Sequence, residues 1–309
     1  MESVLNKQKT ILLLSALKTW SKQMGLLAQM IRLHHVVFAL PFALVALLSA
    51  SKGLPSWVLL AKVFFAVFFA RNVAMTFNQL MDVPFDRLNP RTQNRQLAKG
   101  SISEKSAWIF LILNVLGFVL ICQRINPLSF QLSLPCLVVL CFYSITKRFT
   151  SLSHFFLGLA LALAPLGAWI AVKGEINFDI IPLSLAVLFW VAGFDMIYAT
   201  QDEEFDRNHH LHSSIVWLGK VRGLWLARIC HLAVVPFLLW FALLNDPLGL
   251  FFLSGCGIIL LLLIYEHSLV KPAGDLNKVN QAFFNVNGMI SLLLLVATIL
   301  DLSILPLWF

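Results

Sequence analysis

The chain has 309 residues, of which 59% are hydrophobic and only 12% charged, and its mean hydropathy is +0.84. A soluble domain is nearer half apolar and a quarter charged. This composition therefore excludes an ordinary soluble fold and points to an all-α, polytopic membrane protein built from spans of about 20 apolar residues. The formal charge of +8 would raise nucleic acid as a partner in a soluble protein. No basic tract interleaved with aromatics accompanies it, so nucleic acid is excluded and the charge reads as loop Lys and Arg beside a lipid bilayer.

The chain begins with an arm, residues 1–28, in which Lys7, Lys9, Lys18 and Lys22 surround the short apolar run 11–17. No small-residue cleavage site follows closely, and the arm reads as a retained cytoplasmic, interfacial helix rather than a signal peptide. Nine spanning helices are predicted after it, at 29–50, 56–81, 105–123, 127–146, 152–172, 178–200, 223–244, 247–266 and 281–305, in one domain covering 1–309. Pro55, Pro127, Pro182 and Pro247 stand near the starts of the even-numbered helices, where a missing N–H costs little. Pro41 and Pro165 fall inside helices and are expected to kink them. Ser101-Ile-Ser-Glu104 has the form of a capping box for the third helix. The five cysteines lie in apolar segments without metal-ligand or redox spacing and read as small core residues.

Lys and Arg are concentrated in the arm and in the segments 82–105, 147–151, 201–222 and 267–280, whereas Lys52, Arg124 and Lys173 are the loop cations on the other side. The bias places the N-terminus inside and the C-terminus outside. In a bacterium this is the inner, cytoplasmic membrane.

Two polar ladders interrupt the apolar pattern. Asn78, Asp82 and Asp86 follow one another at intervals of four, so on a helix they share one face. At the end of the sixth helix, 120 residues later, stand Asp202 and Asp206, and both ladders contain Asp-x-x-Phe-Asp-Arg. Carboxylates there are costly unless they hold a cation. Magnesium suits them, because it takes oxygen ligands and shares its shell with water and substrate phosphates. Solvation alone explains one such helix end as well as a bound cation does, but two matching ones poorly. The loops 82–105 and 201–222 are too polar for lipid and are expected to cap one cavity that opens to the cytoplasmic side and to the membrane.

Basic residues surround the carboxylates. Arg91 and Arg95 follow the first ladder, and Lys147 and Arg148 end the fourth helix; together they would clamp a phosphorylated substrate. Arg71 lies eleven residues before Asp82, about 16 Å along a helix axis, and shares its face with Met75 and Asn78. Asp195, Tyr198 and Asp202 share a face of helix six. Charges at that depth mark a functional cavity. Arg71 would anchor an anionic group there, or else pair with Asp195 to join two helices. His209, His210 and His212 read as solvated loop residues, and His34 and His35 as facing either cavity or headgroups.

At these residues the chain resembles the UbiA superfamily of intramembrane aromatic prenyltransferases. Asn78, Asp82 and Asp86 match its first motif, followed by Arg91, Thr92, Arg95 and Gly100. Asp195, Tyr198, Ala199, Asp202 and Asp206 match its second, and Tyr143, Lys147 and Arg148 match the intervening Tyr-x-x-x-Lys-Arg. Gln96 departs from the pattern, which has Pro there. Phe38-Ala-Leu-Pro41 and the stretch from Gly193 to Asp206 look most like the bacterial 4-hydroxybenzoate polyprenyltransferases of that family. The resemblance implies a magnesium-dependent transfer from a polyprenyl diphosphate to an aromatic hydroxy acid in quinone synthesis. It implies Asn78, Asp82, Asp86, Asp202 and Asp206 as metal ligands, and Arg91, Arg95, Lys147, Arg148 and Tyr143 as the diphosphate site. Arg71 and Tyr198 would bind the aromatic acid, with Asp195 as a candidate base. A dihydroxynaphthoate acceptor, in futalosine-type menaquinone synthesis, is also compatible. Haem would not require the arginine. A membrane transporter lined by Arg71 and Asp195 is the rival from another class, but it calls for polar residues in the outer half, which is apolar apart from Lys62.

Overall fold

The computed structural model describes residues 25–31, 33–246, 248–270 and 276–304. Most of the expected interfacial arm, Pro247 and part of the last cytoplasmic loop lie outside the described residues, as do the side chains of His34 and His35. Among the described residues every regular element is helical. The principal helices are α1 Leu40–Ser51, α2 Trp57–Asp86, α3 Glu104–Ile125, α4 Pro127–Thr146, α5 Ser153–Lys173, α6 Ile181–Ala199, α7 Ser214–Leu244, α8 Leu250–Leu269 and α9 Asn287–Ile304. Among the described residues eight helices are long and apolar enough to cross a membrane, and Val36–Ser51 is a shorter apolar one. The chain is thus a multi-pass membrane protein.

Where structure and expectation differ, local chemistry accounts for it. The first predicted helix, 29–50, is broken: a 3-10 turn spans Leu33–Phe38, and α1 begins afterwards with Pro41 in its first turn. Pro41 therefore starts a helix instead of kinking one, because its missing N–H is harmless only there. The proposed capping box is shifted. Ser103, not Ser101, caps α3 by accepting from Ser106 N at 3.1 Å, and Glu104 turns to Arg87 at 3.3 Å. The seventh helix starts earlier than 223, at Ser214, capped by Ser213. Gly219, at φ 76°, breaks it in a conformation open to glycine without strain. Loop 201–222 also contains a short helix, Glu203–Asn208.

Helix α6 is the centre of the bundle. Apart from Ser184, Asp195 and Tyr198 it is apolar, and it is buried along most of its length, as a helix enclosed by others must be; it packs between α5 and α7. Two glycines allow this. A Cβ on Gly158 of α5 would collide with the Leu188 carbonyl of α6, and one on Gly193 of α6 with the His231 ring of α7. Small residues let membrane helices approach so closely. A polar network closes the other side. Trp190 Nε1 donates to Asn287 Oδ1 at 2.7 Å, and Asn287 Nδ2 to Glu266 Oε1 at 2.7 Å. His231 meets the Trp190 carbonyl at 3.2 Å and His267 at 3.0 Å. Asp301 of α9 accepts the N–H groups of Gly249, Phe251 and Phe252, satisfying the start of α8.

Helix α2 has 30 residues, about 45 Å by helical rise. A hydrocarbon core is about 30 Å thick, so α2 carries its polar end beyond the lipid. α2 packs on α3 and α4, and α4 on α5, which brings the ends of α2, α4 and α6 around one mouth.

Candidate active site

The two ladders face each other. Asp82 and Asp86 occupy the last turns of α2, while Asp202 and Asp206 stand just beyond α6, around the short helix. A narrow cleft between them is lined by Asp82, Asp86, Arg91, Arg95, Lys147, Asp202 and Asp206. It shares Lys147, Asp202 and Asp206 with a larger cavity of about 540 Å³. That volume is in the range of small-molecule sites.

Each ladder is bound to bases that lie elsewhere in the chain. Lys147 Nζ donates to Asp82 Oδ2 at 2.7 Å. Arg95 meets both oxygens of Asp86, at 2.9 and 3.1 Å. Arg91 grips Asp202 with both arms of its guanidinium, Nε to Oδ1 at 2.8 Å and NH2 to Oδ2. It also donates to Tyr198 Oη at 2.8 Å. Burial opposes the Arg91 charge, but the bonded Asp202 carboxylate outweighs it and raises the arginine pKa further. Fork-to-fork pairing of this kind is strong, and it satisfies charges that would be expensive to leave buried alone. Asp206 has no such partner among the described ion pairs. Burial first, and then Asp202 beside it, push its carboxyl up to about 6.

The two polar loops close over the cleft together. Asn89 donates to Asp202 at 3.1 Å and accepts from the Arg91 N–H at 2.9 Å, so it sets the turn that aims Arg91. The N–H of His212 bonds the Lys147 carbonyl. Gln96, the departure from the family pattern, reaches back to Gln29 at 2.7 Å. Gly100 takes φ +74°, which glycine adopts freely.

Below the cleft the larger cavity runs along α4 from Lys147 to Ser129, about 27 Å by helical rise. Asn78, Arg71, Tyr143, Asp195 and Tyr198 all line it. Tyr143 Oη donates to the Ala74 carbonyl at 3.4 Å, tying α4 to α2 beside Asn78. The Tyr198 ring lies 4.4 Å from the Phe283 ring and beneath the Arg91 guanidinium. The far end is walled chiefly by apolar side chains such as Val63, Phe118, Leu132 and Ile170. Lys62 is turned away, donating to the Arg124 carbonyl.

Two predicted residues stand differently from expectation. Arg148 lines neither space: it is exposed, donates to the Met81 carbonyl at 2.6 Å and covers the Phe85 ring. Asp195 has a partner outside the expected set, His154, whose Nδ1 lies 2.7 Å from its Oδ2. His154 and Asn89 escape a reading by spacing. His154 stands as a single histidine at a helix start, 41 residues from its partner, and Asn89-Pro90 reads as an ordinary turn.

Among the described residues, no three His, Cys, Asp or Glu side chains converge tightly enough to cage a metal. Magnesium does not require a cage, since it retains waters and shares ligands with phosphates. The cleft offers oxygen donors, and Asp82 Oδ1 is buried without a hydrogen bond. These residues fit a hard divalent cation that arrives with a diphosphate.

Known proteins give the same picture. The model of the UbiA prenyltransferase family matches residues 39–297. A 4-hydroxybenzoate octaprenyltransferase of Methylobacillus flagellatus is 29% identical over 78% of this chain and 80% of its own length. That of Francisella tularensis subsp. novicida is 29% identical over 88% and 95%. The apo structure of a UbiA homolog from Aeropyrum pernix K1 superposes with a TM-score of 0.78 at 28% identity, covering 86% of this chain and 98% of that one. A UbiA homolog from Archaeoglobus fulgidus, solved bound to GPP and Mg2+, shares the fold with a TM-score of 0.69 at 19% identity, over 90% and 100%. With a family match over most of its length and both family motifs meeting across one cleft, the chain belongs to the UbiA prenyltransferase family.

Proposed function

We propose that this protein transfers a polyprenyl group from polyprenyl diphosphate to the ring of 4-hydroxybenzoate, ortho to its hydroxyl, as a magnesium-dependent step of quinone synthesis. The observation that carries this reading is the meeting of both acidic ladders with Lys147, Arg91 and Arg95 at the mouth of a long apolar cavity that holds one deep arginine. The site would face the cytoplasm from the inner membrane, with the N-terminus inside and the C-terminus outside, in a single domain.

Asn78, Asp82, Asp86, Asp202 and Asp206 would hold Mg2+, which when bound supplies positive charge to the leaving diphosphate. Lys147, Arg91 and Arg95 would bind the diphosphate oxygens. These bases and acids hold one another across the cleft, so a cation with its diphosphate would exchange partners with groups already in place. The apolar cavity takes the prenyl tail and limits the water that would quench an allylic cation. Arg71 would hold the acceptor carboxylate and so present the ring. A transporter is disfavoured, because the far end of the cavity is walled chiefly by apolar side chains such as Val63, Phe118, Leu132 and Ile170.

The test is to incubate membranes containing the protein with Mg2+, a polyprenyl diphosphate and either 4-hydroxybenzoate or a dihydroxynaphthoate, and to identify the product by mass. Prenylated hydroxybenzoate is expected. Product from the naphthoate alone replaces the acceptor, and no product from either sinks the enzyme reading. Arg71→Ala should raise KM for the aromatic acid about tenfold or more, the worth of one charge-assisted contact of about 1.5–3 kcal/mol. KM for the prenyl diphosphate should stay within about threefold. Equal effects on both would make Arg71 structural.

Asp206 adds a pH test. Its carboxyl is raised from 3.8 to about 6, by burial first and then by Asp202 beside it. The stability this gives is fully present below 3.8 and is lost as pH rises through 6, so at pH 7.5 the ionised group strains the fold. A bound cation relieves that strain. The melting-temperature gain from Mg2+ should therefore be larger at pH 7.5 than at pH 5.5. Asp206→Asn should raise the melting temperature without Mg2+ at pH 7.5 and shrink the gain. A gain that is independent of pH, or unchanged in the variant, contradicts this.

A further inference from the structure

We propose that His154 is a positioning residue that holds Asp195 as the acceptor of the phenolic proton; this rests on the prenyl-transfer reading above. His154 is the second residue of α5 and is buried, and its Nδ1 lies 2.7 Å from Asp195 Oδ2. A carboxylate accepts, so Nδ1 carries the hydrogen. Nε2 is buried without a hydrogen bond. Nδ1 is thus the ring nitrogen that orients Asp195.

Exposure decides which of the two meets the substrate. The Asp195 side chain is 25% exposed, that of His154 only 4%. Both side chains line the cavity, and the carboxylate is the more open of the two to a substrate there. Asp82, Asp86 and Asp202 are clamped by Lys147, Arg95 and Arg91, whereas Asp195 is held by the ring nitrogen of His154. That contact fixes the direction of the carboxylate. Arg71 lines the same cavity. An acid whose carboxylate is held at Arg71 carries its hydroxyl at the opposite end of the ring.

Asp195 takes the phenolic proton, and the O–H electron pair moves into the ring. The ortho carbon bonds to the allylic carbon as the C–O bond to diphosphate breaks. The ring C–H proton then leaves with the diphosphate, and Asp195 returns its proton to the oxygen.

The test compares wild type, His154→Leu and His154→Asn on 4-hydroxybenzoate and on its 3-fluoro derivative, whose hydroxyl is more acidic and depends less on a base. His154→Leu should lose about 100-fold in kcat on 4-hydroxybenzoate, within the range for general-base assistance, and about tenfold less on the fluorinated acceptor. KM for the prenyl diphosphate should stay within about threefold. His154→Asn, whose amide N–H can stand near the Nδ1 position, should recover part of the loss and show the same acceptor dependence. Equal losses on both acceptors in the Asn variant, while wild type turns over, overturn the role of His154 alone. Wild type that prenylates neither acceptor overturns the prenyl-transfer reading and this role with it.

Discussion

Asp202→Asn should lower prenyl transfer about 10³-fold or more, equivalent to about 4 kcal/mol of transition-state stabilisation, while the protein remains inserted. Asp202 is the point at which the two halves of the cleft meet. It accepts both arms of Arg91 and the Asn89 amide from the loop after α2, yet it sits just after α6. An amide keeps the shape and removes the charge. It weakens a cation site and leaves Arg91 without its counter-ion. Asp82→Asn should do the same through Lys147. Glu203, the next residue, supplies the control. It is engaged with Arg207 at 2.8 Å and Lys220 at 3.7 Å and lines neither space, so Glu203→Gln should stay within about threefold, as surface ion pairs are worth little. Steady-state rates on quantified membranes check all three. Full activity in Asp202→Asn would remove the metal–diphosphate site.

Gly158→Val should destabilise the protein by about 3 kcal/mol, the upper range for overpacking, read as a lower melting temperature in detergent. The new Cβ would run into the Leu188 carbonyl. That is backbone within α6 and cannot rotate away, so α5 and α6 must separate. Gly167 lies further along α5, where an added Cβ would meet nothing within 4 Å, and Gly167→Ala should be neutral or mildly stabilising through helix propensity. The Gly158 contact also reaches the chemistry. His154 lies one turn before it on α5, and Asp195 lies on α6, so whatever Gly158→Val protein folds should turn over its acceptor more slowly. A melting temperature equal to wild type would show that the two helices have room to part.

Much of this is legible in the chain. Long apolar runs with flanking Pro, Ser and Asn mark α2 to α6 and α8 because lipid permits little else than a helix. The ladders are legible because helical spacing repeats every turn, and Asp-x-x-Phe-Asp-Arg occurs twice. What stays hidden depends on distance in sequence. Spacing assigns Asp82 to a cation and Lys147 to a phosphate, but does not reveal that they hold each other across 65 positions. The same holds for His154 with Asp195, a pair created by a glycine contact between helices. Arg148 shows the converse. Its position after Lys147 suggests a second clamp, but successive residues at a helix end point in different directions, and Arg148 packs over Phe85. The start of α7 is concealed because Gly219, followed by Lys220 and Arg222, looks like a boundary in the sequence when it is a break within the helix.

The joint site is tested most directly by equilibrium binding of a polyprenyl diphosphate to the purified full-length protein in detergent, with and without Mg2+, for wild type, Asp82→Asn and Asp202→Asn. Tightening by Mg2+ of about tenfold or more, some 1.4 kcal/mol, is expected in wild type and should vanish in each variant, since either ladder alone is half a site. Binding that is equally tight without Mg2+, or that keeps its Mg2+ dependence when one ladder loses its carboxylate, would contradict the pairing of the two ladders around one diphosphate.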